Sequence, residues 1–212
     1  MNIKPTIYNF TTVKGISLNQ LQQHYKLYEG YINKLNEIWS VPNNAQDLGE
    51  GNQTYSPMRS LKLGETFALD GVKLHQLYFE NITNGNNTPN GDILQLIKRD
   101  FINLENFKEY FKNVGLAVRG WAILVIDPLD GKLHVIGSDA HDVGAIWLSF
   151  PLLIMDVYEH AYMIDFGIDR KKYIDTFFKN INWEVVNKRF KTYCSMTMQR
   201  CTYNTYHPSI FY

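Results

Sequence analysis

The sequence predicts an α+β protein: a long N-terminal helical hairpin followed by a C-terminal α/β domain with a small three-stranded antiparallel sheet. Apolar residues recur at helical spacing in two long blocks before residue 83. A run of turn-forming residues, 84–91, then interrupts the pattern. Only beyond that run do short β-rich segments occur, two of them split by a tight turn.

In the first block Ser17 can cap a helix in which Leu18, Leu21, Tyr25, Tyr28, Ile32, Leu35 and Trp39 repeat at three- and four-residue steps. Pro42, Asn43 and Asn44 end it, and residues 47–53 read as a polar loop. A second helix is expected over 58–82, with Gly64 and Gly71 weakening it locally. Past the turn-rich boundary, residues 92–100 and 104–114 read as short amphipathic helices. Residues 121–127 (WAILVID) predict a strand, Pro128 to Gly131 a turn, 132–137 the return strand and 152–156 a buried third strand. Helix is expected to resume near Glu159 and to run again from 169 to 190. The tail from about 191 has no clear periodicity. The domains expected are thus 1–86, the helical hairpin, and 87–212, the α/β domain with its irregular tail.

The 212 residues carry 21 Lys+Arg against 21 Asp+Glu, a formal net charge of +0. That balance argues against nucleic acid or an anionic membrane as partner, because neutralising phosphates takes a basic excess. No apolar run reaches the roughly 20 residues that a membrane span needs. The first residues show no signal-peptide pattern. Cys194 and Cys201 both lie near the C-terminus and leave the core unstapled, so a reducing, cytoplasmic setting is expected.

Nucleotide-binding loops and the common hydrolase motifs are absent. The strongest local signal is Asp156-Val157-Tyr158-Glu159-His160, where a carboxylate and an imidazole stand four residues apart at the end of an apolar run. A buried carboxylate must be paired or bound to a metal; an internal Asp-His ion pair and a metal site both satisfy the pattern. His75, alone on an apolar helix, reads more often as a satisfied core histidine than as a ligand. His24 lies on one helical face with Tyr28 and Tyr31, an aromatic stripe when taken alone. His141 sits in a loop after the hairpin. Two helices of the first half and the strand–helix junction of the second can deliver these groups to the seam between halves. Three His and one Asp without thiolate suit a redox-active iron or manganese ion.

Here the chain resembles the iron/manganese superoxide dismutases over roughly residues 17–190. Asp156 to Asp165 (DVYEHAYMID) resembles that family's D-x-W-E-H-A-Y signature, with Tyr158 in place of Trp. Leu74 to Phe79 (LHQLYF) is similar to its N-H-x-x-F-W segment, Arg119 to Ala122 to its G-S-G-W strand start, and Asn182-Trp183-Glu184 to its closing N-W segment. The resemblance implies the same fold. It also implies His24, His75, Asp156 and His160 as ligands of one Fe or Mn ion, iron preferred, completed by solvent. Tyr31 would be the gateway tyrosine. His141 would be the donor to metal-bound solvent, supplied from the second half, while Gly71 stands where many iron members place a solvent-binding Gln. Trp121 and Tyr158 would wall the site, and Lys26 and Arg170 would line its mouth. Glu159 would reach across a homodimer, with a tetramer of such dimers also compatible. The activity implied is dismutation of superoxide. The family's His near the gateway tyrosine is replaced by Leu27 or Tyr28, and its partner Tyr by Met163. Those departures keep a non-catalytic metal-binding or interaction protein in view, and a His/Asp iron oxygenase is a further alternative. Cys194, Cys201 and His207 form a second, weaker candidate metal group.

Overall fold

A computed structural model describes residues 2–82 and 88–197. Helices α1 (Leu18–Ser40) and α3 (Pro57–Asn81) form the hairpin and pack along each other. Ser17 caps α1 by accepting the Gln20 N–H on Oγ at 3.0 Å, and Ser56 caps α3 by accepting the Arg59 N–H at 3.1 Å. The apolar spacing read from the sequence becomes a buried stripe of Leu21, Tyr28, Ile32 and Leu35, and His24 lies within it. The expected loop at 47–53 is partly a one-turn helix, α2 (Ala45–Leu48), because Asn44 caps it with its side chain. The segment ahead of α1 also packs: Asn36 exchanges two hydrogen bonds with the Ile3 backbone, and Tyr8 and Phe10 lie against Phe79.

Helices α4 (Gly91–Phe101) and α5 (Leu104–Ala117) precede the sheet. Strand β1 (Trp121–Asp127) is central, flanked by β2 (Lys132–Ser138) and β3 (Phe150–Asp156), with both pairings antiparallel. The β1–β2 turn is closed by the Gly131 N–H donating to the Asp127 carbonyl at 2.8 Å, with Gly131 at φ 64°. Strand β3 begins two residues earlier than expected and admits Pro151 because it is an edge strand. A register shift opposite Leu124/Val125 falls beside that proline.

Three expectations need correction. The helix expected from Glu159 is a single 3₁₀ turn (Glu159–Ala161) followed by the short α6 (Met163–Phe166), which stops at Gly167 with φ 53°. The continuous helix expected over 169–190 is two helices, α7 (Arg170–Phe178) and α8 (Trp183–Met196). The break is built by asparagines. Asn180 bonds the Lys14 backbone with both ends of its amide, and Asn182 caps α8 by accepting from the N–H groups of Glu184 and Val185. Helix α8 also runs past residue 191, where an irregular tail was expected. Residues 83–87 of the expected boundary lie outside the described residues. So do Cys201 and His207 of the candidate tail site; Cys194 is disulfide-bonded, so it offers no thiolate. Among the described residues no helix is long and apolar enough to cross a membrane.

Candidate metal centre

Four side chains from four elements meet where the hairpin packs on the sheet. Helix α1 supplies His24, α3 supplies His75, the end of β3 supplies Asp156, and the 3₁₀ turn supplies His160. Their candidate donor atoms all lie within 4.8 Å of one another. His24, His75 and Asp156 are fully buried, and the His160 side chain is 25% exposed. Asp156 Oδ2 is the hub, 2.9 Å from His24 Nε2, 3.1 Å from His160 Nε2 and 3.6 Å from His75 Nε2.

The orientation of this hub is set by the backbone around it. Trp121 and Asp156 are partners in the β1–β3 register, so the indole and the carboxylate emerge side by side. Asp156 Oδ1 accepts the Tyr158 N–H at 2.9 Å, which turns Oδ2 toward the imidazoles. Tyr173 donates its hydroxyl to the Asp156 carbonyl at 2.7 Å from behind. Gln20 on α1 bonds the His160 carbonyl at 2.6 Å and the Ile164 N–H at 3.0 Å.

Protonation follows from partners. His75 Nδ1–H donates to the Gly71 carbonyl at 2.6 Å. Its Nε2 is therefore a lone pair aimed at a carboxylate oxygen, buried and without a hydrogen-bond partner. Burial holds the His75 imidazole well below its ordinary value and lowers His24 in the same way. Burial alone would raise the Asp156 carboxyl, but His160 and His24 outweigh it and hold Asp156 well below the usual carboxylate range. Burial lowers His160 too, yet the Asp156 carboxylate more than offsets it and its imidazole is raised. Two acceptors facing each other in a dry pocket leave room for a cation between them.

The donor set fits such an ion. With metal–ligand bonds of about 2.1 Å, donors at right angles stand about 3.0 Å apart and donors at 120° about 3.6 Å apart. The hub distances of 2.9, 3.1 and 3.6 Å match those edges. Three imidazoles and one carboxylate are a ligand set for iron or manganese.

A second layer of rings closes the pocket. Trp121 Nε1–H donates to His141 Nδ1 at 3.0 Å, and His141 Nε2 lies 2.8 Å from the Tyr31 hydroxyl. An indole can only donate, so His141 Nδ1 is an acceptor. Burial pushes His141 down to about 4, so near neutrality the ring carries its single proton on Nε2 and donates it to Tyr31. The Tyr31 phenol is raised, by burial first and then by Asp156, and its ring lies 5.4 Å from that of His75. Tyr158 stacks on His160 at 5.1 Å and meets Trp121 edge-on at 6.2 Å. A Cβ on Gly71 would stand 3.0 Å from Tyr31 Cγ and 3.3 Å from His141 Cδ2, so His141 fills the space that a side chain at 71 would take.

The structure thus brings His24, His75, Asp156, His160, Tyr31, His141, Trp121 and Tyr158 into one site. Lys26 and Glu159 are exposed. Arg170 commits its guanidinium to the Val118 carbonyl at 2.7 Å and the Tyr162 hydroxyl at 3.1 Å. Gln20 and Tyr173 were not singled out from the sequence. A glutamine among surface glutamines and a tyrosine after four charged residues carry no signal until the fold turns them inward.

Residues 89–189 match the family described as iron/manganese superoxide dismutases, C-terminal domain. The chain is 43% identical over 183 residues to the superoxide dismutase [Fe] of Aquifex pyrophilus, covering 84% of this chain and 86% of that one. The superoxide dismutase [Fe] of Aquifex aeolicus matches at the same identity and coverage. The superoxide dismutase [Mn] of Haloarcula marismortui is 32% identical over 192 residues, 89% of this chain and 93% of that one.

Proposed function

Because this chain belongs to the iron/manganese superoxide dismutase family, we infer that it converts two superoxide anions to dioxygen and hydrogen peroxide at one iron or manganese ion held by His24, His75, Asp156 and His160. The observation that carries this reading is the buried, unpartnered Nε2 of His75 aimed at Asp156 Oδ2, two acceptors that a cation reconciles. When bound, the ion supplies one-electron chemistry, taking an electron from one superoxide and giving it to the next. The chain supplies everything else. The Asp156 charge favours the more highly charged metal state, and neutral imidazoles keep the lower one within reach.

Reduction of superoxide to peroxide consumes two protons, so a proton must stand ready at the pocket. His141 Nε2–H is spent on the Tyr31 oxygen, which leaves the Tyr31 hydroxyl hydrogen free to point away from His141 and serve the substrate. Trp121 fixes the His141 ring for this by occupying Nδ1. The rings of Tyr31, Trp121, His141 and Tyr158 crowd the pocket and suit a diatomic anion better than an organic oxygenase substrate. With no net charge on the chain, local cations such as Lys26 must draw the anion in. Iron is the favoured metal, supported by the higher identity of the relatives named [Fe]. We further read residues 1–86 and 87–212 as the two lobes that clasp the ion, and a homodimer in the cytoplasm as the working form.

The test is metal analysis and superoxide consumption of protein purified without added metal, beside a His160→Ala variant. The parent is expected to hold about one ion per chain and the variant to lose most of it. Full stoichiometry in the variant would overturn the ligand assignment. Near-zero activity of both the iron- and manganese-loaded parent would favour a non-catalytic metal-binding protein.

A further inference from the structure

We propose that Gln20 is a positioning residue for the His160 ligand, and so sets metal affinity and the ligand field from outside the ligand set. The proposal rests on the metal reading above. His160 differs from its three partners in its support. His24 and His75 sit within long helices and Asp156 ends a paired strand, whereas His160 belongs to a 3₁₀ turn of three residues, Glu159–Ala161. So short a turn has little rigidity of its own. Its ring is also the most exposed of the four.

Gln20 supplies the missing rigidity. It is 0% exposed on the inner face of α1, one helical turn before His24. Its Nε2–H donates to the carbonyl of His160 itself at 2.6 Å, and its Oε1 accepts the Ile164 N–H at 3.0 Å. The amide thus joins the turn to the start of α6 and ties both to the helix that carries His24. A primary amide carries an N–H donor and a carbonyl acceptor on one carbon, so one side chain can make both bonds. One turn earlier, the Ser17 N–H donates to Asp165 Oδ2 at 2.5 Å, a second tie between the same two segments. The first helix therefore both provides one ligand and holds another in place.

The experiment compares Gln20→Met, which removes both hydrogen bonds at similar length, with Gln20→Glu, which loses the N–H donor to the His160 carbonyl. Gln22→Met, on the exposed side of the same helix, is the control. Three quantities are read: the Tm of the metal-free chain, Mn(II) affinity in competition with a chelator, and the visible absorption of the oxidised manganese-loaded protein. Both Gln20 variants are expected to fold, to bind Mn(II) about 10- to 100-fold more weakly, and to show a shifted absorption band. Gln22→Met is expected to match the parent. A merely structural glutamine would lower Tm and leave the absorption band where it is. Unchanged affinity and spectrum in either folded variant overturn the proposal while the metal reading stands. If neither variant folds, Gln20 is a folding residue and the proposal is likewise overturned. A parent chain that binds no manganese or iron brings down the metal reading and this proposal with it.

Discussion

At the scale of single residues, the chemistry depends on which ring nitrogen carries a proton, and no sequence pattern shows that. His141 and Gly71 illustrate the limit. The residues alone put His141 in a loop and Gly71 in a helix it weakens, and the family resemblance links the two positions only by role. Only the coordinates show the His141 ring lying in the space that any side chain at position 71 would need. The spacing of Asp156 and His160 was legible because four residues is a local distance; the approach of His24 to Asp156 spans 132 residues and was reached only through the family resemblance. Burial of these rings has a measurable consequence. His141 is about 4 in the folded chain against an ordinary 6.5, and His24 and His75 are lowered too. Between those limits the unfolded chain binds protons that the native metal-free chain refuses, so stability falls as pH falls from about 6.5 toward 4. His141 alone accounts for about 3 kcal/mol over that interval, at about 1.4 kcal/mol per pH unit. His160, raised by Asp156, opposes this, since its stabilisation is present at low pH and fades as pH rises. Below about pH 4 the lowered Asp156 adds a further loss on protonation. Thermal melts of the metal-free protein should therefore show Tm dropping steadily from pH 7 to pH 4.5; a flat or rising profile would refute the assignment of these imidazoles as neutral.

At the scale of elements, the long amphipathic helices and the hairpin of β1 and β2 were legible because period and turn chemistry are local signals. The break between α7 and α8 was not. It depends on Asn180 finding the Lys14 backbone 166 residues away, a partner invisible to any window along the chain. The same is true of Arg189. It is 8% exposed on α8, and its guanidinium reaches the Asn81 side chain at 2.5 Å, the Leu152 carbonyl at 2.9 Å and the Leu77 carbonyl at 2.9 Å, besides Glu80 at 2.8 Å. One side chain thus ties α8 to the end of α3 and to β3, the two elements that deliver His75 and Asp156. Removing it leaves buried acceptors unpaired, each costing about 1–3 kcal/mol. An Arg189→Met variant should lose about 3 kcal/mol of unfolding free energy in urea without losing its bound metal stoichiometry. A shift below about 0.5 kcal/mol would show that this clamp is dispensable.

At the scale of the whole molecule, the buried ligand set meets solvent at His160. The His160 side chain is 25% exposed there. A few residues on in the chain, Met163 at 39% and Ile164 at 53% exposure are apolar side chains that a solvated surface does not favour, and Phe67, beside His141, is 38% exposed. Phe67 lies 4.5 Å from the His141 ring, so this apolar rim borders the site itself. Glu159, exposed and adjacent in sequence to His160, and Asp165, exposed beside Ile164, are charges in the same segment. A two-fold contact would place the same rim on both sides, burying apolar surface and letting each Glu159 reach the other copy's side of the interface. A carboxylate delivered in this way to an imidazole fixes the ring and raises its basicity, as outer partners of ligating histidines do. The unmodified chain should accordingly sediment as a dimer at micromolar concentration. Glu159→Ala should shift it toward monomer and weaken metal retention about tenfold or more, because the ligand loses its outer partner when the subunits part. A parent chain that sediments as a monomer while dismutating superoxide at full rate would show that one copy completes the site unaided, and the apolar rim would then need another explanation.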